Sequence, residues 1–213
     1  MIKALIFDLD GTLIDSSKDL AAAMNHTLSS LGYKEKKQKT LASYIGDGLD
    51  IFLGRAFETD DKKLIAVAKP IFQKHYSENT VKHTYLFENV KETLEQFHTA
   101  GKLLFIFSNK PQDFIRPILD HFGISHCFTE MIGQYQFKNI KPHPEAIHYL
   151  LGKYKLDPST TLMVGDNHTD IEAGHNAGIK TVFCSFGMGT RSEKVKADYE
   201  IGKFDELAAI VEG

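Results

Sequence analysis

Asp8 and Asp10, in the run Asp8-Leu9-Asp10-Gly11-Thr12, follow directly on an apolar stretch, Ile2–Phe7. On an extended chain, residues i and i+2 point the same way, so the two carboxylates face one small volume. Like charges at that separation require a cation, and hard carboxylate oxygens suit Mg²⁺. Gly11 stands immediately behind them, ready for a backbone angle that other residues avoid. A second acidic pair, Asp166 and Asp170, follows another apolar run, Thr161–Val164. Asp170 by itself would suit a helix N-terminus as well as an ion. Beside Asp8 and Asp10 on a neighbouring strand, a shared ion is the better account of both pairs.

Ser108-Asn109 ends a third apolar run, Leu103–Phe107. A hydroxyl followed by backbone N–H groups entering a helix makes a phosphate seat, although Ser108 alone would serve as an N-cap. Lys141 lies in Lys-Pro-His-Pro, held by prolines on the approach to a helix. Near so many acids, its ammonium becomes a charge balancer.

These residues need strands to end at one place. Each apolar run, with a fourth at Thr181–Phe183, lacks a clean alternation, as expected of parallel strands covered on both faces. Between them lie amphipathic helices. Asn89 and Glu92 have capping-box spacing before the stripe Val90, Leu94 and Phe97, and Gly101 is the stop. Pro111 opens a helix that buries Phe114, Ile115, Ile118, Leu119 and Phe122 and ends at Gly123. Pro142 to Tyr154 repeats the pattern. The alternation predicts an α/β fold with a doubly wound parallel sheet.

Residues 16–82 break the alternation. Leu20, Met24, Leu28 and Leu31 are helically spaced, as are Leu49, Phe52, Leu53, Ala56 and Phe57, and Leu64, Val67, Ala68, Ile71 and Phe72; Pro70 is expected to kink or split the last helix. The expected division is therefore a core of 1–15 and 83–213 with a small all-helical insertion of about 65 residues at 16–82.

At 213 residues, 42% hydrophobic and 25% charged, the chain is of ordinary globular composition. Its 25 basic and 28 acidic residues supply no overall drive toward nucleic acid or an anionic membrane. No apolar run is long enough to span a bilayer, and Asp8 and Asp10 interrupt the N-terminal stretch before a signal-peptide core could form. Two cysteines, Cys127 and Cys184, make no disulfide framework and fit a reducing cytoplasm. Nothing points to a protein partner.

DLDGTLID, FSNK, KPHP and GDNHTD, in that order, resemble the four-motif signature of the haloacid dehalogenase superfamily of phosphohydrolases. The long first step resembles the subclass with a helical cap between the first two motifs, and the likeness extends over essentially the whole chain. YIGDGL, FENVKETL and SFG are similar to the phosphoglycolate phosphatase-like branch, although FENV stands where that branch usually has Pro-Gly, and SFG where it often has Trp-Gly.

The resemblance implies a Mg²⁺-dependent phosphatase acting on a small phosphorylated metabolite through a phospho-aspartyl intermediate. It makes Asp8 the nucleophile and Asp10 the general acid and then base. Ser108 with the Asn109 backbone would hold the phosphate, and Lys141 would neutralise nucleophile and phosphate together. Asp8, Asp166 and the main-chain carbonyl of Asp10 would ligate the metal, Asp170 would order it and Thr12 would support the turn. The cap would set specificity, with the Gly46–Gly48 loop and Arg55 as its candidates. Two alternatives share the aspartyl chemistry: a sugar-phosphate mutase of the same superfamily, and a phospho-accepting signalling module. The insertion has no place in the latter.

Overall fold

The structure, a computed structural model, describes all 213 residues. From β1 (Ala4–Phe7) the chain passes through the short β2 (Ile14–Asp15) into four helices: α1 (Ser17–Ser30), α2 (Gln38–Ala42), α3 (Leu49–Phe57) and α4 (Lys62–Asn79). It returns by β3 (Tyr85–Leu86) to α5 (Val90–Thr99), β4 (Leu103–Pro111), α6 (Gln112–His121) and β5 (Glu130–Gln134). There follow α7 (Glu145–Tyr154), β6 (Thr161–Gly165), α8 (His168–Asn176), β7 (Lys180–Cys184), β8 (Tyr199–Ile201) and α9 (Leu207–Glu212).

Six strands form one parallel sheet in the order β5-β4-β1-β6-β7-β8. The order of the strands reverses at β1, which lies between β4 and β6. In such sheets ligands bind outside the carboxyl ends at this switch point. Both faces are apolar. Leu5, Phe7, Leu104, Ile106, Leu162 and Val164 enter one hydrophobic layer, and Ala4, Ile6, Phe105, Phe107 and Met163 the other. The period-two alternation is present, but apolar residues occupy both sides of it, which hides it in the sequence.

Four details depart from expectation. Helix α4 runs unbroken through Pro70; the apolar contacts of Ala68, Phe72 and Tyr76 outweigh the hydrogen bond that proline removes. Asn89 caps nothing, because it takes a left-handed conformation with φ 62° and no side-chain hydrogen bond, so the Asn89–Glu92 capping box is absent. Ser108 is not an N-cap, since β4 runs on to Pro111 before α6 begins. The edge strands β5 and β8, and the two-residue pair β2–β3, had no signal in the apolar runs. Edge strands are short and half polar, as Glu130, Gln134 and Glu200 are here.

The four helices of the insertion pack on one another, α1 against α2 and α4, and α3 against α4. At their root lies Asp19, 2% exposed. Its Oδ2 accepts from His83 N, Thr84 N and Thr84 Oγ1, each at 2.8 Å, and so ties α1 to the returning chain.

Candidate active site

The carboxyl ends of β1 and β6 bring Asp8, Asp166 and Asp170 together, with one oxygen from each lying within 4.8 Å of the others. All three are buried. Asp166 is held by donors on every side: Met188 N and Gly189 N to Oδ2 at 2.8 and 2.7 Å, and Thr12 Oγ1 to Oδ1 at 3.2 Å. Gly11, with φ 90°, leaves the space that the Asp166 carboxylate fills; a Cβ there would collide with it. Burial first, then the charges of Asp8 and Asp170, push Asp166 up to about 8. Burial also pushes Asp170 up. Such shifts mark negative charge that the side chains alone leave short of compensation.

Lys141 supplies part of it. Burial lowers its ammonium, but Asp170 and Asp8 outweigh that and the net direction is up, so it stays charged. Its Nζ lies 2.6 Å from Asp170 Oδ1 and 2.8 Å from Asp8 Oδ1. The Asp170 contact is a hydrogen bond, and Asp170 Oδ2 accepts from Asn167 N at 2.9 Å. Asp8 Oδ1, by contrast, accepts no hydrogen bond. Three buried carboxylates around a single ammonium, with Asp8 Oδ1 ion-paired but accepting no hydrogen bond, fit a hard divalent cation such as Mg²⁺. Asn109 clamps the backbone of Lys141: Oδ1 accepts from Lys141 N at 2.9 Å, and Nδ2 donates to Lys141 O at 3.1 Å and to Gly46 O at 2.8 Å. Ser108, buried within β4, accepts from Lys110 N at 3.3 Å.

Asp10 turns elsewhere. Its Oδ1 accepts from Ser16 Oγ at 2.5 Å, and Lys110 Nζ donates to Oδ1 and Oδ2 at 2.9 and 3.1 Å. Lys110 also donates to Tyr76 Oη, on α4 of the insertion, at 2.7 Å. Neither Lys110 nor Tyr76 stood out as a candidate in the sequence. Lys110 directly follows Ser108-Asn109, the one local signal it had, while Tyr76 merely continues a helical stripe. Their meeting depends on α4 lying over β4.

Between insertion and core is a cavity of about 50 Å³, lined by Asp8, Asp10, Ser108 and Lys110 and walled by Phe52, Phe72 and Phe114 among others. Aromatic contacts close the wall: Phe52 meets Phe72 edge-on at 5.9 Å, and Tyr76 meets Phe114 edge-on at 5.0 Å. Gly46 and Gly48 line the cavity too. Arg55 does not: it pairs with Asp47 at 2.6 Å on the outer side of the loop, 42% exposed.

Residues 5–184 match the family model of haloacid dehalogenase-like hydrolases. The chain belongs to that family. The phosphoglycolate phosphatase of Pasteurella multocida is 35% identical to this family member over 220 residues, 99% of this chain and 98% of its own. That of Haemophilus influenzae is 37% identical over 219 residues, 98% of each chain. A crystal structure of a predicted phosphoglycolate phosphatase from Haemophilus somnus superposes with a TM-score of 0.93 at 35% identity, over 98% of this chain and 97% of the other. No helix of this haloacid dehalogenase-like hydrolase is long and apolar enough to cross a membrane.

Proposed function

We propose that this phosphoric monoester hydrolase cleaves phosphoglycolate, with Asp8 as nucleophile, in the cytoplasm and with Mg²⁺ as its metal. The observation that carries the reading is the ammonium of Lys141, 2.8 Å from Asp8 and 2.6 Å from Asp170 inside the buried acidic cluster at the switch point. The relatives named phosphoglycolate phosphatase, aligned over nearly their whole length, support the substrate.

A carboxylate approaching a phosphate dianion meets repulsion of about 4 kcal/mol at 4 Å with an effective dielectric of 20. Lys141 opposes that repulsion, and a divalent ion held by Asp8, Asp166 and the Asp10 carbonyl would add positive charge against the phosphoryl oxygens. Asp170 keeps Lys141 and the first turn of α8 in place, and Thr12 keeps Asp166 in place. Ser108 and the backbone that follows it hold the transferring group. Asp8 forms a bond to phosphorus as the bond to the leaving oxygen breaks, and Asp10 gives that oxygen a proton. Asp10 then takes a proton from the water that hydrolyses the acyl phosphate, which restores Asp8. A protonated acid at this point contributes about 10²–10⁴-fold. Residues 16–82 act as the cap that closes the cavity against solvent.

The test is phosphate release from phosphoglycolate with Mg²⁺ by the wild type and by Asp8→Asn. The wild type is expected to turn over and the variant to be inactive while keeping its fold by circular dichroism. An active Asp8→Asn enzyme refutes the mechanism.

A further inference from the structure

Residues 185–198 join the parallel neighbours β7 and β8 without the helix that such a crossover usually carries. An irregular connection of that length is commonly kept for a function. Its near half lies directly on Asp166. Met188 N and Gly189 N both donate to Asp166 Oδ2, at 2.8 and 2.7 Å. At Gly187 a Cβ would run into the Asp166 side chain and the Gly11 carbonyl, so the main chain is seated on the carboxylate with no side chain between. Beyond this turn the loop is fastened at three points. Thr190 Oγ1 lies 3.3 Å from His168 Nδ1, Arg191 grips Glu200 with two bonds at 2.6 Å, and Ser192 Oγ donates to Glu172 Oε1 at 2.9 Å. Of these partners Glu172, on α8, is the one that is buried, and a hydrogen bond to a buried charge outweighs exposed pairs. Ser192 Oγ also accepts from Lys194 N at 3.1 Å and Val195 N at 3.2 Å, which uses the one donor and two lone pairs of a hydroxyl. Lys194 Nζ reaches Glu172 Oε2 at 3.2 Å, but it is 76% exposed and adds little in water.

We propose that Glu172 is a positioning residue of the metal site: through Ser192 it holds residues 187–189 on Asp166 and so sets the affinity for the divalent ion. The inference rests on the Mg²⁺ reading above and adds to it a control on metal affinity from outside the acidic cluster. A carboxylate that ligates a metal needs its remaining contacts fixed, because the ion accepts few placements of the ligand oxygen. Thr12 donates to Asp166 Oδ1 from the turn after β1, and the loop supplies both donors to Oδ2. Released from Glu172, the loop takes those two donors away. Asp166 then spreads over several placements, and the apparent affinity falls by the fraction that remains competent. Glu172 acts on the ion only through Ser192 and two peptide N–H groups.

The full chain, stripped of metal, is titrated with Mg²⁺ in a calorimeter without substrate, and exchange of the Met188 and Gly189 amides is followed by NMR. Ser192→Ala and Glu172→Ala are each expected to weaken Mg²⁺ binding about 10-fold. Both should also speed exchange of the two amides about 10-fold. Ser192 lies in the loop, so Ser192→Ala keeps the fold even where removal of the buried Glu172 does not. Glu172→Gln still accepts from Ser192 and should stay within about 3-fold of the wild type. Wild-type Mg²⁺ affinity in Ser192→Ala, or weaker binding with the two amides still protected, overturns the inference. So does a Glu172→Gln protein as weak as Glu172→Ala, which would assign the effect to charge instead of the held loop. A wild type that shows the expected differences and yet hydrolyses no phosphomonoester upholds the positioning role and defeats the hydrolytic reading. Ordinary hydrolysis with unchanged affinity in Ser192→Ala does the reverse.

Discussion

Asp166 carries the plainest record of how charge is balanced at this site. Its carboxyl is moved from an ordinary 3.8 to about 8, chiefly by burial and then by Asp8 and Asp170. In this range the folded protein holds a proton that the unfolded chain has released, so stability falls as pH rises from about 4 to about 8. A divalent cation reverses this, because its ligands must be deprotonated and binding favours the folded state. Protein stripped with a chelator is therefore expected to lose about 5 °C or more in melting temperature between pH 5 and pH 8. Added Mg²⁺ should restore more at pH 8 than at pH 5. A melting temperature that rises across this range, or a Mg²⁺ effect independent of pH, would contradict the account.

The helical insertion is joined to the sheet at two crossings, and α1 carries the side chain that fixes the second. Asp19 satisfies two backbone N–H groups and one hydroxyl at residues 83–84, of which Thr84 is buried. Hydrogen bonds to a charged group are worth more than neutral ones, and the buried Thr84 N left behind would lack a partner, although the Thr84 hydroxyl keeps Thr80 O. Asp19→Ala should cost about 3 kcal/mol and lower the melting temperature by about 6–12 °C, measured by differential scanning fluorimetry. A change under about 2 °C would show that the return of the chain is held by packing instead. Helix α4 makes the related point that local rules yield to contacts. Pro70 lies inside an unbroken helix because Ala68, Phe72 and Tyr76 bury one face of it.

Across the whole molecule, the loop at residues 45–49 ties insertion to core by three hydrogen bonds. Asn109 Nδ2 donates to Gly46 O at 2.8 Å, Asn167 Nδ2 to Ile45 O at 3.3 Å, and Leu49 N to Gln134 Oε1 at 3.4 Å. Gly46 has φ 117°, and a Cβ there would run into the side chain of Asn167. Gly46→Ala combines backbone strain with that collision, at a site where the proposed closure would exclude water from Asp8. A fall of about 10-fold in kcat/KM for phosphoglycolate is expected, with helix content by circular dichroism unchanged. An unaffected kcat/KM would show that the loop does not govern closure. The same view explains Arg55: its partner Asp47 belongs to this loop and lies 3.6 Å from His168 of the core, so the guanidinium braces the loop and lies outside the cavity.

The sequence by itself determined the parallel sheet, the run of helices after its first strand, the acids that follow two of its strands, the hydroxyl that follows a third apolar run and the lysine ahead of a helix. Each of these is written in contiguous residues: apolar runs that must be buried, helical spacing, and motifs that end a strand. Tertiary structure alone decided the rest. The edge strands exist because a formed sheet offers them partners, since polar residues interrupt β5 and β8 has only three residues. The pairing of Lys110 with Asp10 and Tyr76 joins positions 110, 10 and 76 across two layers. Nothing local distinguishes a lysine bound for solvent from one enclosed between a cap helix and a carboxylate, because the free energy that decides it comes from packing distant elements together.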